Sequence, residues 1–262
     1  MKRYFLVLIL LLSGLAASAH KSDTLRYAPG HEAGMDGEFL TSTIDSLVEN
    51  AMDRYAFPGC QILVARDGKI VHHKSYGHHT YRRYRPVEND HIFDLASCSK
   101  VMGATIALMK LVEDGKLDLD KPFSDVFPYF KGSNKEDITL REFLAHQGGL
   151  QPSVGVWNIA FENGRLREGL FSYTQSEDYP IEVYKNMWGY KDLRERVYKA
   201  VADTKLREKK YRYSCMSFLC YPYVVESITG MGYEEFLKET FYGPIGADAI
   251  MLNPAHKYPM EE

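Results

Sequence analysis

Asp67-Gly68, set between two short apolar runs, is the feature that most restricts how this chain can fold. An Asp-Gly pair supplies the left-handed backbone of a type I′ turn, whose twist matches that of paired strands. Gln61 to Ala65 therefore reads as one strand and Lys69 to Tyr76 as its antiparallel partner. Ahead of them Ile44, Leu47, Val48, Ala51 and Met52 recur at helical spacing from Ser42 onward. Pro58-Gly59 then breaks the chain. The order is helix, strand, strand. A lone hairpin is marginal in water, so this pair needs a helix or further strands against it.

The run Phe93-Asp94-Leu95-Ala96-Ser97-Cys98-Ser99-Lys100 puts a serine and a lysine three residues apart where a buried helix is expected to begin. Positions i and i+3 share a helix face, so Lys100 reaches the Ser97 hydroxyl, and a neutral amine there could take its proton. The four-residue pattern alone is weak, because Ser18-Ala19-His20-Lys21 repeats it with no helix behind. After Lys100, by contrast, Val101, Ala104, Leu108, Leu111 and Val112 recur with helical spacing up to the stop signal Asp114-Gly115. The plain alternative is that Ser97 is a helix N-cap, a common post for serine.

More helices follow. Thr139-Leu140-Arg141-Glu142 is a capping box. It opens a helix carrying Leu140, Phe143 and Leu144 on one face and ending at His146-Gln147-Gly148-Gly149-Leu150. His146 reads as a structural residue near the negative end of the helix dipole rather than a catalytic group. Leu193, Val197 and Val201 indicate a helix over 191–204, while residues 151–210 otherwise show no clear period. Tyr211 to Phe218 leads into an apolar helix with Leu219, Tyr223, Val224 and Ile228, stopped by Gly230, and a last helix covers 233–241. Residues 98–250 are thus expected to be mostly helical.

Residues 1–19 read as a secretory signal peptide, with Lys2 and Arg3, an apolar run from Leu6 to Leu12, and the small-x-small site Ala17-Ser18-Ala19. The run is too short to span a bilayer comfortably. The mature chain is expected to be exported, to the periplasm or secreted, with no stable membrane span after cleavage. Residues 20–40 read as a flexible leader. A net charge of −3 with no basic cluster argues against a nucleic-acid partner. Cys60, Cys98, Cys215 and Cys220 fit no zinc spacing. The pairs His72/His73 and His78/His79 alternate across a strand, so no metal and no cofactor are expected. Tyr81 to Arg85 reads as a solvated loop. Cys215 and Cys220 are expected on one helix with diverging side chains, and buried free thiols are expected throughout.

In order and context these segments resemble the serine beta-lactamase and penicillin-binding-protein-like superfamily, in its class C-like branch of beta-lactamases, D-alanyl-D-alanine peptidases and esterases. The resemblance runs from about Ile44 to Pro254 and rests on Pro58-Gly59, the Asp67-Gly68 hairpin, Ile92 to Ser97 before Lys100, Ile138 to His146 with Gly149-Leu150, Tyr213-Ser214, and Ile228-Thr229-Gly230 with Tyr233. It implies an α/β (α+β) fold over 41–262: an antiparallel sheet flanked by helices, plus an all-helical subdomain. It maps the family's nucleophile onto Ser97, its lysine partner onto Lys100, and the tyrosine of a Tyr-x-Asn motif onto Tyr213. Cys215 stands at that motif's substrate-contacting third position, where asparagine is usual; a thiol is a much weaker hydrogen-bonding group than an amide. The literal Tyr184-Lys185-Asn186 reads as a decoy, since no serine-rich helix start follows it. Burial beside hydroxyls and positive potential is expected to depress Lys100 and make it a base.

The family's third motif, a glycine triplet on a later strand, has no counterpart after Gly230. In the family a late strand also gives a backbone N–H to the oxyanion hole, a donor of the kind worth ~3–4 kcal/mol of transition-state stabilisation. The sheet is therefore expected to be incomplete in this chain. Two classes of function follow. One is an exported acyl-serine hydrolase acting on an amide or ester, with a peptidoglycan peptide or a beta-lactam-like small molecule as substrate. The alternative is a catalytically inactive relative that acts at most as a binding protein. The sequence carries no signal for oligomeric state.

Overall fold

A computed structural model describes residues 25–258, so the signal peptide expected over 1–19 lies outside the described residues. The chain divides into two compact units between Phe93 and Asp94, inside the single domain expected over 41–262.

In the first unit, α1 (Gly37–Asp53) starts where the Asp36 carboxylate accepts the Phe39 N–H at 3.0 Å. Strands β2 (Gly59–Arg66) and β3 (Lys69–Gly77) pair antiparallel, with Arg66 opposite Lys69 and a bulge between Val64 and Ala65. The turn between them has φ of 51° at Asp67 and 70° at Gly68, the left-handed pair that the sequence predicts. A two-residue strand β1 (Arg26–Tyr27) runs parallel to β3 on its other side, giving the order β1-β3-β2. On β3, Ile70, His72 and Tyr76 are buried. Tyr76 donates to Asp45 of α1 at 2.7 Å, and Lys74 reaches the same carboxylate at 2.8 Å. His72 lies 3.3 Å from the Thr41 hydroxyl of α1, whereas His73 lies 2.6 Å from the Tyr27 hydroxyl of β1. The two neighbouring imidazoles do point apart. The flexible leader expected over 20–40 is corrected from Leu25 onward. Strand β1, a 3₁₀ turn over Gly30–Ala33, an Arg26–Glu32 ion pair and the first turn of α1 occupy it. Elements this short carry no periodicity for a sequence reading to find.

The second unit holds α2 (Ile106–Glu113), α3 (Leu140–Leu144), α4 (Val156–Ala160), α5 (Leu193–Ala202), α6 (Tyr221–Thr229) and α7 (Tyr233–Leu237). It is less helical than the sequence suggests. Strands β4 (Phe161–Glu162) and β5 (Arg165–Leu166) form a hairpin, and β6 (Phe171–Ser172), β8 (Met187–Gly189) and β7 (Ile181–Tyr184) form a second small antiparallel sheet. Asn163-Gly164 closes the first hairpin with φ of 51° and 74°. That is the same signal as Asp67-Gly68, and the sequence reading missed it.

The core of this unit is largely aromatic. Phe123, Phe127, Phe130, Phe143 and Tyr221 are buried together with Leu108 and Leu111 of α2, Val201 of α5, and Val224 and Val225 of α6. Phe123 meets Phe143 and Tyr221 edge-on at 5.4 and 5.6 Å, and Phe127 meets Tyr198 and Tyr223 edge-on at 5.3 and 5.4 Å. Such pairs contribute about 0.5–1.5 kcal/mol each beyond their buried area. Lys135 is also fully buried. Its ammonium donates to Asn134 Oδ1 at 2.8 Å and to the carbonyls of Ala202 and Thr204 at 2.7 and 2.6 Å, closing the C-terminal end of α5. Burial pulls its pKa down to about 8.

Candidate active site

The turn carrying Ser97 is built by local hydrogen bonds. The Asp94 carboxylate accepts the Ala96 N–H at 2.8 Å, and successive i→i+3 bonds run from Cys98 to Leu95, Ser99 to Ala96 and Lys100 to Ser97. Ala96 has φ of 43°, a left-handed backbone at a residue with a side chain. Such positions cost of order 1–3 kcal/mol and cluster where function fixes the chain. The chain then enters a π-helical segment, Lys100–Thr105, before α2 begins. Wider turns of this kind occur often at functional sites. They also shift the phase of the helix: Val101, expected on the buried face, is 64% exposed, while Ala104, Ala107, Leu108 and Leu111 are buried. Ser97 itself sits in the exposed turn directly before the first helical residue, Cys98.

Lys100 Nζ donates to Ser97 Oγ at 3.0 Å, as the i, i+3 spacing predicts. Tyr213 donates its phenol to the same oxygen at 2.9 Å, across 116 residues of sequence. Ser97 does stand at the N-cap position, directly before the first helical residue Cys98, but its hydroxyl oxygen accepts from the Lys100 and Tyr213 side chains. Lys100 also lies over the rings of Tyr213 and Phe218, at 5.3 and 5.6 Å from their centres. The expected depression of Lys100 is corrected. Burial pulls its pKa down, but hydrogen bonds with the Tyr213 hydroxyl and the Cys215 thiol more than offset this, and the net shift is upward. Lys100 is thus an ammonium at neutral pH.

Tyr213 is held by the loop that follows α3. The Thr139 capping box is present with both its bonds. After Ala145 the chain turns left-handed at His146, φ 57°. The loop then laces onto residues 205–215: Arg207 N–H to the Gly149 carbonyl at 2.7 Å, Cys215 N–H to Pro152 at 2.9 Å, and the Ser214 hydroxyl to Gln151 at 2.6 Å. Gly149 (φ 72°) sits so close that a Cβ there would lie 2.5 Å from the Arg207 carbonyl oxygen. Lys209 adds an ion pair to Glu142 at 2.7 Å. His146, read from sequence as structural only, packs its ring 4.8 Å from that of Tyr213.

Cys215, the sequence candidate for substrate contact, is half-buried beside Lys100. It is not on a helix with Cys220: Cys215 lies in the turn before a 3₁₀ segment, Ser217–Leu219, and Cys220 caps α6. All four cysteines are free thiols, but only Cys220 is buried, and Cys98 beside Ser97 is exposed. The Tyr184-Lys185-Asn186 triplet is the turn of the β7–β8 hairpin, where Asn186 takes φ of 59°. Asparagine tolerates that conformation, which explains the triplet without chemistry. In the first unit, Glu88, Asp90 and His91 bring ligand-type atoms within 4.8 Å of one another. The Arg85 guanidinium 3.4 Å from His91 works against a cation there.

Residues 44–257 match the family model described as Beta-lactamase. A curated relative from Escherichia coli (strain K12), named "Putative D-alanyl-D-alanine carboxypeptidase", is 28% identical over 98% of this chain and 57% of its own length. The chain therefore spans little more than half of that relative. The octameric penicillin-binding protein homologue from Pyrococcus abyssi superposes with a TM-score of 0.59 at 21% identity, over 79% of this chain and 43% of that one. D-alanine carboxypeptidase AmpC from Burkholderia cenocepacia gives 0.56 at 18% identity, over 80% and 49%. At such identities the structures speak for the fold, which is the mixed α/β arrangement of the beta-lactamase and peptidase group. With Ser97, Lys100 and Tyr213 gathered at one oxygen and the family model spanning both units, this chain belongs to the beta-lactamase family.

Proposed function

We propose that this chain carries the acylation centre of an exported serine hydrolase that cleaves an amide or ester, with D-alanyl peptides of the cell wall as the substrate class. The observation that carries the reading is the convergence of Lys100 Nζ and Tyr213 OH on Ser97 Oγ at 3.0 and 2.9 Å. The names of the relatives support the substrate class. In the step proposed, Ser97 Oγ bonds to the carbonyl carbon of the substrate and its proton passes to the Tyr213 oxygen. The phenol's own proton moves to the departing nitrogen or oxygen, whose bond to carbon breaks. The Lys100 ammonium stabilises the electron-rich oxygens between them and need not lose its proton. Water then attacks the acyl-serine by the reverse relay. No metal or cofactor enters the scheme.

The test is covalent. Treating the chain with a fluorophosphonate or a penicillin and mapping the adduct by mass spectrometry is expected to place it on Ser97 and to lose it in Ser97→Ala. Labelling of another serine with Ser97 clean would remove the assignment. A second reading, an inactive relative that binds without turnover, is favoured by the thiol of Cys215 in place of an amide. It predicts saturable binding of a D-alanyl peptide with no adduct and no hydrolysis.

A further inference from the structure

We propose that His146 is a positioning residue for Tyr213, holding the phenol against Ser97 by fixing the backbone on both sides of it. The inference rests on the reading of Ser97 and Tyr213 as the reacting pair. Tyr213 is 43% exposed and so is not held by burial. Within the lacing of the 146–152 loop, one residue bonds the backbone N–H on each side of it. The His146 carbonyl accepts the Arg212 N–H at 2.8 Å, and His146 Nδ1 accepts the Ser214 N–H at 3.3 Å. The neighbours before and after Tyr213 are therefore pinned by the same residue. Between those two bonds the imidazole lies against the phenol ring, with centroids 4.8 Å apart and planes at 49°. Phe218 at 5.7 Å and Tyr211 at 6.2 Å bracket the imidazole.

The arrangement selects a proton state. An Nδ1 that accepts must carry a lone pair, so the ring proton belongs on Nε2. Protonating Nδ1 would set two N–H donors against each other and release the Ser214 N–H, leaving its hydroxyl on the Gln151 carbonyl. The groups facing the imidazole are the Lys100 ammonium, the Tyr211 and Tyr213 phenols and the uncharged Phe218 ring. Burial first, and the Lys100 charge second, keep His146 below the usual histidine value. His146 takes a left-handed φ of 57°, a conformation in which histidine is several-fold more common than most side chains.

The experiment uses the full chain labelled with 3-fluorotyrosine, with the Tyr213 resonance identified by its loss in Tyr213→Phe. In the wild type that resonance is expected to move in a single titration below pH ~6.5, and fluorophosphonate labelling of Ser97 is expected to fall with the same midpoint. His146→Asn, which keeps an acceptor but cannot titrate, is expected to abolish both pH responses and to label within about tenfold of wild type at neutral pH. His146→Phe keeps a ring and loses the acceptor; it is expected to label about 10–100-fold more slowly at every pH. Circular dichroism melting of both variants separates these effects from unfolding. A Tyr213 resonance that titrates identically in wild type and His146→Asn, or His146→Phe labelling at the wild-type rate with its acid limb intact, overturns the proposal. A wild-type chain that never labels at Ser97 overturns the hydrolase reading alone, and the fluorine spectrum then still decides whether His146 positions Tyr213.

Discussion

If Lys100 acts as a charged stabiliser rather than a base, the pH dependence of acylation must show it. The net upward shift of Lys100 places its pKa above the ordinary 10.5. Were the neutral amine the acting base, less than about one molecule in three thousand would be competent at pH 7, a penalty of about 5 kcal/mol at 1.36 kcal/mol per unit. The rate of Ser97 labelling would then climb tenfold per pH unit from 7 to 10. With the ammonium as the working form, the rate is expected to stay level across that range and to fall only as pH rises past the raised value. The sign follows from the shift: a group whose pKa is raised in the folded chain does its work below that value and loses it above. The assay is second-order labelling by a neutral fluorophosphonate from pH 6 to 11, with the adduct counted at Ser97. Lys100→Ala is expected to lower the plateau by about 10²–10⁴-fold. A rate that rises tenfold per unit to pH 10, or a Lys100→Ala variant that labels like wild type, would refute the reasoning.

Other outcomes follow from single contacts. Tyr213→Phe should slow Ser97 labelling by about 10²–10³-fold, while Tyr184→Phe leaves it unchanged; a larger effect at Tyr184 would make the hairpin triplet the true motif. Lys135→Met should lower unfolding free energy by about 2–4 kcal/mol in urea titration, because the Ala202 carbonyl loses its donor in the core. With the folded pKa of Lys135 lowered to about 8, the wild type should gain stability relative to this variant as pH rises above that value, and a narrowing gap there would contradict the assignment. Gly149→Ala should lower the melting temperature and Ser97 labelling together, since its Cβ would meet the Arg207 carbonyl oxygen at 2.5 Å on a left-handed residue.

Features written in neighbouring residues were legible in the sequence. The Asp67-Gly68 hairpin, the Thr139 capping box, the stop at Gly230 (φ 72°) and the reach of Lys100 to Ser97 all depend on spacing that a chain displays openly. Tyr213 came from the order of motifs and not from any local pattern. What stayed hidden is what only tertiary contact decides. The upward shift of Lys100 depends on a phenol and a thiol more than a hundred residues away. The part played by His146 depends on two backbone bonds to a distant segment. The five short strands over 161–189 are two to four residues long, too brief for a period-two pattern to register. The π segment keeps the composition of an ordinary helix, so nothing in its residue types announced that Val101 would turn outward.

The lacing of residues 146–152 onto 205–215 also orders events in time. Ser97 and Lys100 are neighbours and can approach each other as soon as the local turn forms. Tyr213 arrives from 116 residues away. For a flexible chain the length-dependent part of closing such a loop is about 4 kcal/mol. That entropy is offset only when the 146–152 loop has docked and the aromatic core between them has condensed. A nascent or partly unfolded chain therefore holds a serine and a lysine side by side with no phenol to complete the relay. Reactivity toward acylating agents is then a late acquisition in folding, and the appearance of an adduct at Ser97 is a clock for the last long-range closure of the second unit.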